Sequence, residues 1–358
     1  MNIIKKSFLF LAFTALLSSC SDESGPIAPL PLGAYENGVL ILNQGNFGSG
    51  NAAISYLSND LNTFQNNIFS LVNPTVILGD TAQDIGFVND LVYVVLNVSN
   101  KIQIANRYTL KNIGSITTGL TNPRYIAFAN GKAYVTCWGN GSSATDDYVA
   151  VINLTTNVVS STIPVIEGPE RILEFNGKLY VAHKGGYNYG NRVSVINSAT
   201  NTVSATILVG DVPESLRIIN QSLYVLCSGN PFYAPSETAG NLAKIDINNN
   251  TVSSSIAFPS TTMHPLNLDF YNNQIYYTIN EKVFRFSTTS STLPTAPLLT
   301  TTAQGAYGIY SFKVQNDKIY LGDAGDYISN GKVQVYSLSG ALLSTRTVGI
   351  SPSGFYFN

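Results

Sequence analysis

An internal repeat restricts the fold of this chain more than any other feature of the sequence. Three stretches align without gaps: PRYIAFANGKAYVTC from Pro123, PERILEFNGKLYVAH from Pro169 and PESLRIINQSLYVLC from Pro213. Each has an alternating apolar run, a turn and a second apolar run, and in each a tyrosine follows the proline by 11 residues. Alternation with period two predicts strands, so every copy begins with a β-hairpin. Hairpins that recur at a period between about 41 and 52 residues predict a ring of repeated small sheets.

The repeat has seven copies, and the first lacks its opening strand. Six copies carry a tyrosine at the anchor position of the second strand: Tyr93, Tyr134, Tyr180, Tyr224, Tyr276 and Tyr320. The seventh anchor is Ile41, and no strand with the proline motif precedes it. The chain ends with SPSGFYFN, in which Pro352, Phe355 and Phe357 align with the opening strand of the other copies. We therefore expect the C-terminal strand to close the ring by joining blade one.

Each repeat continues with two further strands. Third runs such as VAVINL from Val149 and VSVINS from Val193 are followed by short Asn- and Thr-rich turns and a fourth alternating run. Four strands per unit, seven units and joined ends predict an all-β fold over residues 36–358, a seven-bladed β-propeller with four-stranded blades. Residues of types that build surface helices are scarce, because only 11% of the chain is charged, so we expect almost no helix after the leader.

The charge of the chain argues against nucleic acid as a partner. The formal net charge is −2, and no run of Lys or Arg follows the first six residues. A nucleic-acid-binding surface needs clustered cations that neutralise phosphates, so no such partner is expected.

The amino terminus has the pattern of an exported protein. Two lysines precede an apolar run from Phe8 to Leu17, which is short for a membrane span, and small residues then lead to Cys20. Residues 1–19 are predicted to be a signal peptide. Residues 20–35, which contain several prolines, are predicted to be a tether.

The end of this leader resembles a lipobox. In bacterial lipoproteins the sequence Leu17-Ser18-Ser19-Cys20 would place the acylated cysteine at the new amino terminus. Asp22 and Glu23 resemble the acidic tag of Bacteroidota lipoproteins, which implies a lipid anchor at Cys20 and the cell-surface face of the outer membrane. The alternatives are an ordinary signal peptide with an incidental cysteine, and a periplasmic location.

The repeat itself also resembles a known family. YVTC at Tyr134, YVAH at Tyr180 and YVLC at Tyr224, each within a repeat that continues along the lines of VxVIN…TNxVxxTIxVG, resemble the YVTN-repeat, YncE-like propellers. The resemblance implies the fold and says little about function, because propellers host many activities.

Topology then separates the two faces of the ring. If the first strand (a) of each blade lines the central channel, the a–b and c–d turns lie on one face and the b–c and d–a connections on the other. Several b–c loops are long and unlike one another, and binding tends to reside on such loops. They carry exposed aromatic candidates for ligand binding: Phe47, Trp138, Tyr187, Tyr189, Phe232, Tyr233 and Tyr327.

The residues that follow the repeated proline are predicted to surround the mouth of the channel on the same face. Unlike the apolar core positions they differ from blade to blade, which suggests a binding role. The candidates are Gln83, Asp84, Arg124, Tyr125, Glu170, Arg171, Glu214, Asn267 and Tyr310. The alternative is that Arg124, Glu170, Arg171 and Glu214 form an ion-pair network between blades.

No motif for catalysis or metal binding is present. Cys137 and Cys227 fall at the same strand position two blades apart, too far for a disulfide, and His183 occupies that position between them. Neighbouring blades diverge, so no metal site is expected there. No resident cofactor is expected either, since neither a P-loop nor a dinucleotide fingerprint appears. His264 is interpreted as a hydrogen-bonded structural residue. The Asp-containing loops lack EF-hand spacing, and an enzyme would have to use an acidic pair such as Glu170 with Glu214.

Leader, tether and propeller together predict a surface-exposed, non-catalytic lipoprotein that captures a ligand on the b–c/d–a face. This combination resembles the BtuG-type lipoproteins, which bind cobalamin and pass it to a TonB-dependent outer-membrane transporter. The resemblance implies a corrinoid ligand and a transporter partner, although no motif specific for corrinoids is present. Glycan binding, a protein-docking scaffold and an enzyme acting at the channel mouth remain as alternatives.

Overall fold

The computed structural model describes residues 31–301 and 308–358, and the predicted signal peptide and Cys20 lie outside them. In this part of the chain seven antiparallel four-stranded sheets form the blades. The inner strands of successive blades contact one another around the ring, from blade one back to blade one. The all-β seven-bladed propeller is thus confirmed.

Within each blade the strands follow one another in a fixed order from the channel outward. Blade one contains β28 (Pro352–Phe357), β1 (Gly38–Asn43), β2 (Ala53–Ser58) and β3 (Phe64–Gln65). Blade two contains β4 (Ala82–Val88), β5 (Leu91–Leu96), β6 (Lys101–Asn106) and β7 (Asn112–Ile116). Blade three contains β8 (Pro123–Ala129), β9 (Lys132–Cys137), β10 (Tyr148–Asn153) and β11 (Val158–Pro164). Blade four contains β12 (Pro169–Phe175), β13 (Lys178–His183), β14 (Arg192–Asn197) and β15 (Thr202–Leu208).

The remaining three blades follow the same order. Blade five contains β16 (Pro213–Ile219), β17 (Ser222–Cys227), β18 (Asn241–Asp246) and β19 (Thr251–Ala257). Blade six contains β20 (Leu266–Tyr271), β21 (Gln274–Ile279), β22 (Lys282–Ser287) and β23 (Leu299–Thr300). Blade seven contains β24 (Ser311–Gln315), β25 (Lys318–Asp323), β26 (Asn330–Ser337) and β27 (Leu342–Ile350).

The C-terminal strand closes the ring as the sequence predicts. β28 pairs antiparallel with β1, and Ile41 lies opposite Phe355 in the ladder. The side chain of Phe355 is buried, and the ring of Phe357 lies 5.1 Å from that of Tyr320 in blade seven. The terminal aromatics therefore fill the junction between the last blade and the first, and pairing with β28 leaves β1 with no open edge.

The anchor tyrosines form the core between blades. Tyr93 and Tyr134 are fully buried, and their hydroxyl groups donate hydrogen bonds to the next blade. The Tyr93 hydroxyl reaches Oδ1 of Asn157 at 2.9 Å, and the Tyr134 hydroxyl reaches Oδ1 of Asn201 at 2.8 Å. Both asparagines lie in c–d turns with positive φ. These Asn residues therefore shape the turn and also accept a bond that ties neighbouring blades together.

Departures from the repeat are few in the part of the chain that the structure describes. One short helix, α1 (Ile68–Val72), lies in the connection from blade one to blade two, and its Ile68 and Phe69 are buried. Tyr35, within the predicted tether, is also buried, and its backbone N–H donates to the carbonyl of Tyr108 at 2.9 Å, so the packed structure begins before residue 36. In the described ranges, no helix is long and apolar enough to span a membrane.

Candidate functional site

A bulge near the start of the inner strands positions the residues at the channel mouth. In β8 the ladder register shifts between Pro123 and Ile126, and β4, β12, β16 and β20 show the same irregularity. A bulge leaves residues without cross-strand partners and re-aims their side chains. This is why the two residues after the repeated proline, which the sequence singles out, are free to face the mouth.

Arg124, which is partly buried, and Glu170, which is buried, form an ion pair between blades three and four. Nη2 and Nε of Arg124 donate to the two carboxylate oxygens of Glu170 at 2.8 and 2.9 Å. The Arg124 guanidinium also lies 4.3 Å from the ring centroid of Trp138, whose indole N–H donates to the Pro169 carbonyl. Burial alone would raise the pKa of Glu170, but the charge and hydrogen bonds of Arg124 outweigh it and lower that pKa. The pair matches the ion-pair interpretation of these two positions.

Arg171 behaves differently from Arg124. Its guanidinium stacks 4.1 Å from the centroid of the Tyr125 ring, and the Tyr125 hydroxyl accepts a 2.7 Å hydrogen bond from Nε2 of Gln83. Burial raises the pKa of Tyr125, which therefore stays neutral. Within residues 31–301 and 308–358, Arg171 has no carboxylate at ion-pair distance. The predicted network thus includes Arg124 and Glu170 but does not extend to a direct pair between Arg171 and Glu214.

Asp84 lies in the wall of the mouth beside this stack. Its carboxylate accepts hydrogen bonds from the Ile126 backbone N–H at 3.0 Å and from the Tyr356 hydroxyl at 2.8 Å. Burial raises the pKa of Asp84 to about 6, although these bonds and the charge of Arg171 act in the opposite direction. Asp84 therefore changes charge within two pH units of neutrality.

The other mouth residues form two further contacts between blades. The Glu214 carboxylate accepts the backbone N–H of Asn267 at 3.0 Å and also the hydroxyl of Ser215. The Tyr310 hydroxyl donates to Oε1 of Gln44 in blade one at 2.5 Å, and its ring lies 5.3 Å from that of Tyr327 in an edge-to-face arrangement. Since Glu170 is paired with Arg124 and its pKa is lowered, it lacks the raised pKa expected of an acid that shares a proton with Glu214.

The aromatic candidates on the b–c loops divide into two groups. Trp138 and Tyr327 are partly buried, and Trp138 contacts the ring of Tyr187 edge to face at 5.9 Å. The others are exposed: Phe47 at 83%, Phe232 at 80%, Tyr187 at 77%, Tyr233 at 69% and Tyr189 at 38%. Phe232 and Tyr233 pack only against each other among aromatic rings of the described chain, at 5.2 Å. The loops therefore project apolar ring surface from a polar rim, which is unusual for solvated loops.

The thiols and histidines are embedded in strands and loops. Cys137 and Cys227 are free and buried, and burial raises the pKa of the Cys137 thiol to about 12. His183 is buried and bonds through Nε2 to the Ser194 hydroxyl at 2.8 Å, and burial lowers its pKa to about 4. His264 bonds to the Ser228 carbonyl at 2.9 Å and to Glu237 at 3.2 Å. Among the residues described, no cluster of His, Cys, Asp and Glu could hold a metal ion.

Three charged residues deeper in the channel are absent from the ligand-binding candidates that the sequence predicts. Asp269 accepts hydrogen bonds at 3.0 Å from both Arg217 and Lys313, which lie on the neighbouring inner strands. Each residue lies four positions after the proline or its equivalent, in blades five, six and seven. The repeat register contains this signal, but it falls beyond the two positions after the proline that define the sequence-based set.

The fold and mouth together define a class: a closed seven-bladed β-propeller with one elaborated rim and a polar channel entrance. Residues 37–345 match the family described as "Domain of unknown function (DUF5074)", and the chain belongs to that family. No curated protein has a significantly similar sequence.

Solved structures support the fold alone. A functionally unknown protein from Desulfotomaculum acetoxidans is 14% identical with a TM-score of 0.65, over 90% of this chain and 98% of that one. A quinonprotein alcohol dehydrogenase-like protein from Bacteroides thetaiotaomicron is 15% identical with a TM-score of 0.62, over 90% and 78%. Hydrazine synthase from Kuenenia stuttgartiensis is 15% identical with a TM-score of 0.60, over 76% and 88%.

Proposed function

We propose that this protein is a surface-anchored, non-catalytic lipoprotein of the outer membrane that captures a large polar ligand on its b–c/d–a face. The observation that carries the proposal is the set of exposed aromatic rings on the b–c loops, with Phe47, Tyr187, Phe232 and Tyr233 each more than two-thirds exposed. Rings of this kind supply contact area at low entropic cost when a ligand covers them.

The mouth supplies the polar part of the proposed recognition. The side chains of Arg124, Tyr125, Gln83 and Tyr310 are held by bonds between blades, so a ligand would meet donors and acceptors that are already positioned. Apolar platforms around a preorganised polar centre suit a ligand with flat apolar edges and many amide or hydroxyl groups. A corrinoid has this chemistry and is the first candidate, with a TonB-dependent transporter as the receiving partner. A glycan that stacks its sugar faces on the rings is the second.

Calorimetry of the purified protein with cyanocobalamin tests the first candidate. The Tyr187→Ala variant should lose at least about tenfold in affinity, because truncation of a buried aromatic anchor at an interface costs about 2 kcal/mol or more. Tyr187 is preferred to Trp138, whose indole also supports Arg124 and the Pro169 carbonyl. Ile113→Ala, at a 55% exposed residue on the outer strand β7, is the matched control and should bind normally.

The outcomes separate the alternatives. Absence of cobalamin uptake by the wild-type protein would exclude the corrinoid, and hits on a carbohydrate array that depend on Tyr187 would then identify glycan capture. If neither class binds and a protein is recovered through the loop face from detergent-solubilised outer membranes, the scaffold alternative is correct. Surface display that persists in a Cys20→Ala variant would contradict the lipid anchor.

A further inference from the structure

The central channel contains a cavity of about 470 Å³. Near the mouth its lining is polar and includes Asp84, Arg171 and Asn267, whereas Phe87 and Phe357 line it further along the inner strands. A volume of this size lies in the range of small-molecule sites. The cavity is distinct from the exposed rings of the loop face, because none of those rings lines it.

Arg171 presents its guanidinium donors to this cavity. In the part of the chain that the structure describes, none of its guanidinium N–H groups donates a hydrogen bond to the protein, and the guanidinium stacks on the face of the Tyr125 ring. Arg124 in the preceding blade instead directs two donors at a single carboxylate. A guanidinium held by stacking, with its planar set of donors unused, is oriented to bind an oxyanion in two-point fashion.

The carboxylates around Arg171 are engaged elsewhere. Asp84 accepts from Ile126 and Tyr356, and Glu214 accepts from Asn267, although both charges act on Arg171 from a distance. Neither carboxylate comes within ion-pair distance of the guanidinium. The local charge is therefore partly balanced, but the hydrogen-bonding capacity of Arg171 is not used.

A second cationic layer lies two residues further along the inner strands. Arg217 and Lys313 both line the cavity, and both depend on the single carboxylate of Asp269, which also accepts the Val314 backbone N–H at 2.7 Å. Two cations that share one carboxylate leave an excess of positive charge at this depth. Arg171, Arg217 and Lys313 come from blades four, five and seven and therefore surround the cavity from different sides.

We infer that the channel is a binding site for a small oxyanion, a carboxylate- or phosphate-bearing molecule whose charged group is held by Arg171 within the field of Arg217 and Lys313. Binding of such a group exchanges the solvation of Arg171 for charge-assisted hydrogen bonds in a partly enclosed cavity, where these bonds are stronger than in water. The apolar part of the molecule would extend toward Phe87 and Phe357.

Calorimetric titration of the full-length protein with sulfate, at constant ionic strength set by chloride, tests this site. Arg171→Gln should weaken sulfate binding about tenfold or more, since a hydrogen bond between two charged groups is stronger than one between neutral groups. Arg192→Gln, which removes an exposed cation from the same blade, should leave the affinity unchanged. Equal affinities in the two variants, or no sulfate binding above the chloride reference, would overturn the proposal.

Asp84→Asn provides a test of opposite sign. At about pH 7.5 this change removes a negative charge beside Arg171, so sulfate affinity should rise about threefold or more. Affinity that stays the same or falls in a folded Asp84→Asn protein would contradict the inference even if the Arg171 variant failed to fold.

Parallel titrations with phosphate and succinate distinguish the two kinds of oxyanion. Tyr187→Ala should bind each anion as the wild type does, because Tyr187 does not line the cavity. Failure of ligand capture on the loop face and failure of the channel site are therefore separate results.

Discussion

The two rims of the ring differ in how they use the same residue types. On the turn rim, formed by the a–b and c–d turns, asparagines such as Asn130 and Asn201 adopt positive φ and form hydrogen bonds within the scaffold. On the loop rim, formed by the b–c and d–a connections, the loops carry exposed rings such as Phe47 and Phe232. Repetition on one rim indicates that the turn rim mainly stabilises the fold, and variety on the other supports the proposal that the loop rim serves recognition.

Among the scaffold contacts, those that close the ring are expected to contribute most to the free energy of unfolding. Phe355→Ala removes a buried ring of β28 that packs against the ring of Tyr320. Phe→Ala changes in protein cores typically cost about 3 to 5 kcal/mol. Urea unfolding should show this loss, whereas Leu343→Ala at a half-exposed residue should change stability by less than about 1 kcal/mol. Equal effects of the two changes would show that the terminal strand does not hold the ring closed.

The mouth should reduce stability near neutral pH, in contrast to the turn rim. The pKa of Asp84 in the folded protein, about 6, lies above its ordinary value of 3.8, so its protonation favours folding. This contribution is complete below about pH 4 and is lost as the pH rises through about 6, a difference of about 3 kcal/mol.

The measurement is the free energy of unfolding as a function of pH. Asp147, whose pKa burial also raises to about 6, contributes with the same sign. His183, whose pKa burial lowers to about 4, contributes with the opposite sign in the same pH range. In the Asp84→Asn variant the free energy of unfolding should therefore fall by about 3 kcal/mol less between about pH 4 and 6 than in the wild type. An unchanged profile would mean that Asp84 does not titrate in this range.

The turn rim offers a smaller effect with a matched pair of variants. Asn201→Ala removes the residue type that tolerates positive φ and one of the two acceptors of the Tyr134 hydroxyl, the other being the Ser198 carbonyl at 2.9 Å. The expected cost is about 1 to 2 kcal/mol. Asn201→Gly keeps the backbone freedom but loses the acceptor, so thermal unfolding should place it between the wild type and the alanine variant. If glycine is no better than alanine, turn geometry contributes little.

The exposed rings of the loop rim should matter least for stability. Phe232→Ala is expected to change the free energy of unfolding by less than about 0.5 kcal/mol, because the ring is 80% exposed. Calorimetric or chemical unfolding checks this. A loss above about 1 kcal/mol would assign Phe232 to the scaffold and weaken the contrast between the rims.

The sequence predicts the fold well because every repeat contains the same pattern of strands and turns. The 11-residue interval places the anchor tyrosines in the core, and the alignment of SPSGFYFN places Phe355 beside Ile41. The number of blades and the closing strand can therefore be predicted from the alignment of the repeats, without knowledge of any interatomic distance.

The interactions at the mouth could be predicted only in part. Arg124 lies one residue after its proline and Arg171 two residues after its own, in neighbouring blades. The side chain of Arg124 pairs with a carboxylate, whereas that of Arg171 stacks on an aromatic ring. The outcome depends on the bulge and on the radial distance between blades, which a linear pattern does not contain. The bonds from Tyr310 to Gln44 and from Tyr356 to Asp84 join residues 266 and 272 positions apart and could not be predicted for the same reason.

The pairing of β28 with β1 has a consequence for how the chain acquires its structure. The two strands lie at opposite ends of the propeller sequence, so their contact requires closure of a loop of nearly the whole propeller, the kind of long-range contact that slows folding. During synthesis β1 has no inner neighbour until the final residues emerge. A chain truncated before Pro352 would keep six complete blades and present an unpaired edge, a template for aggregation.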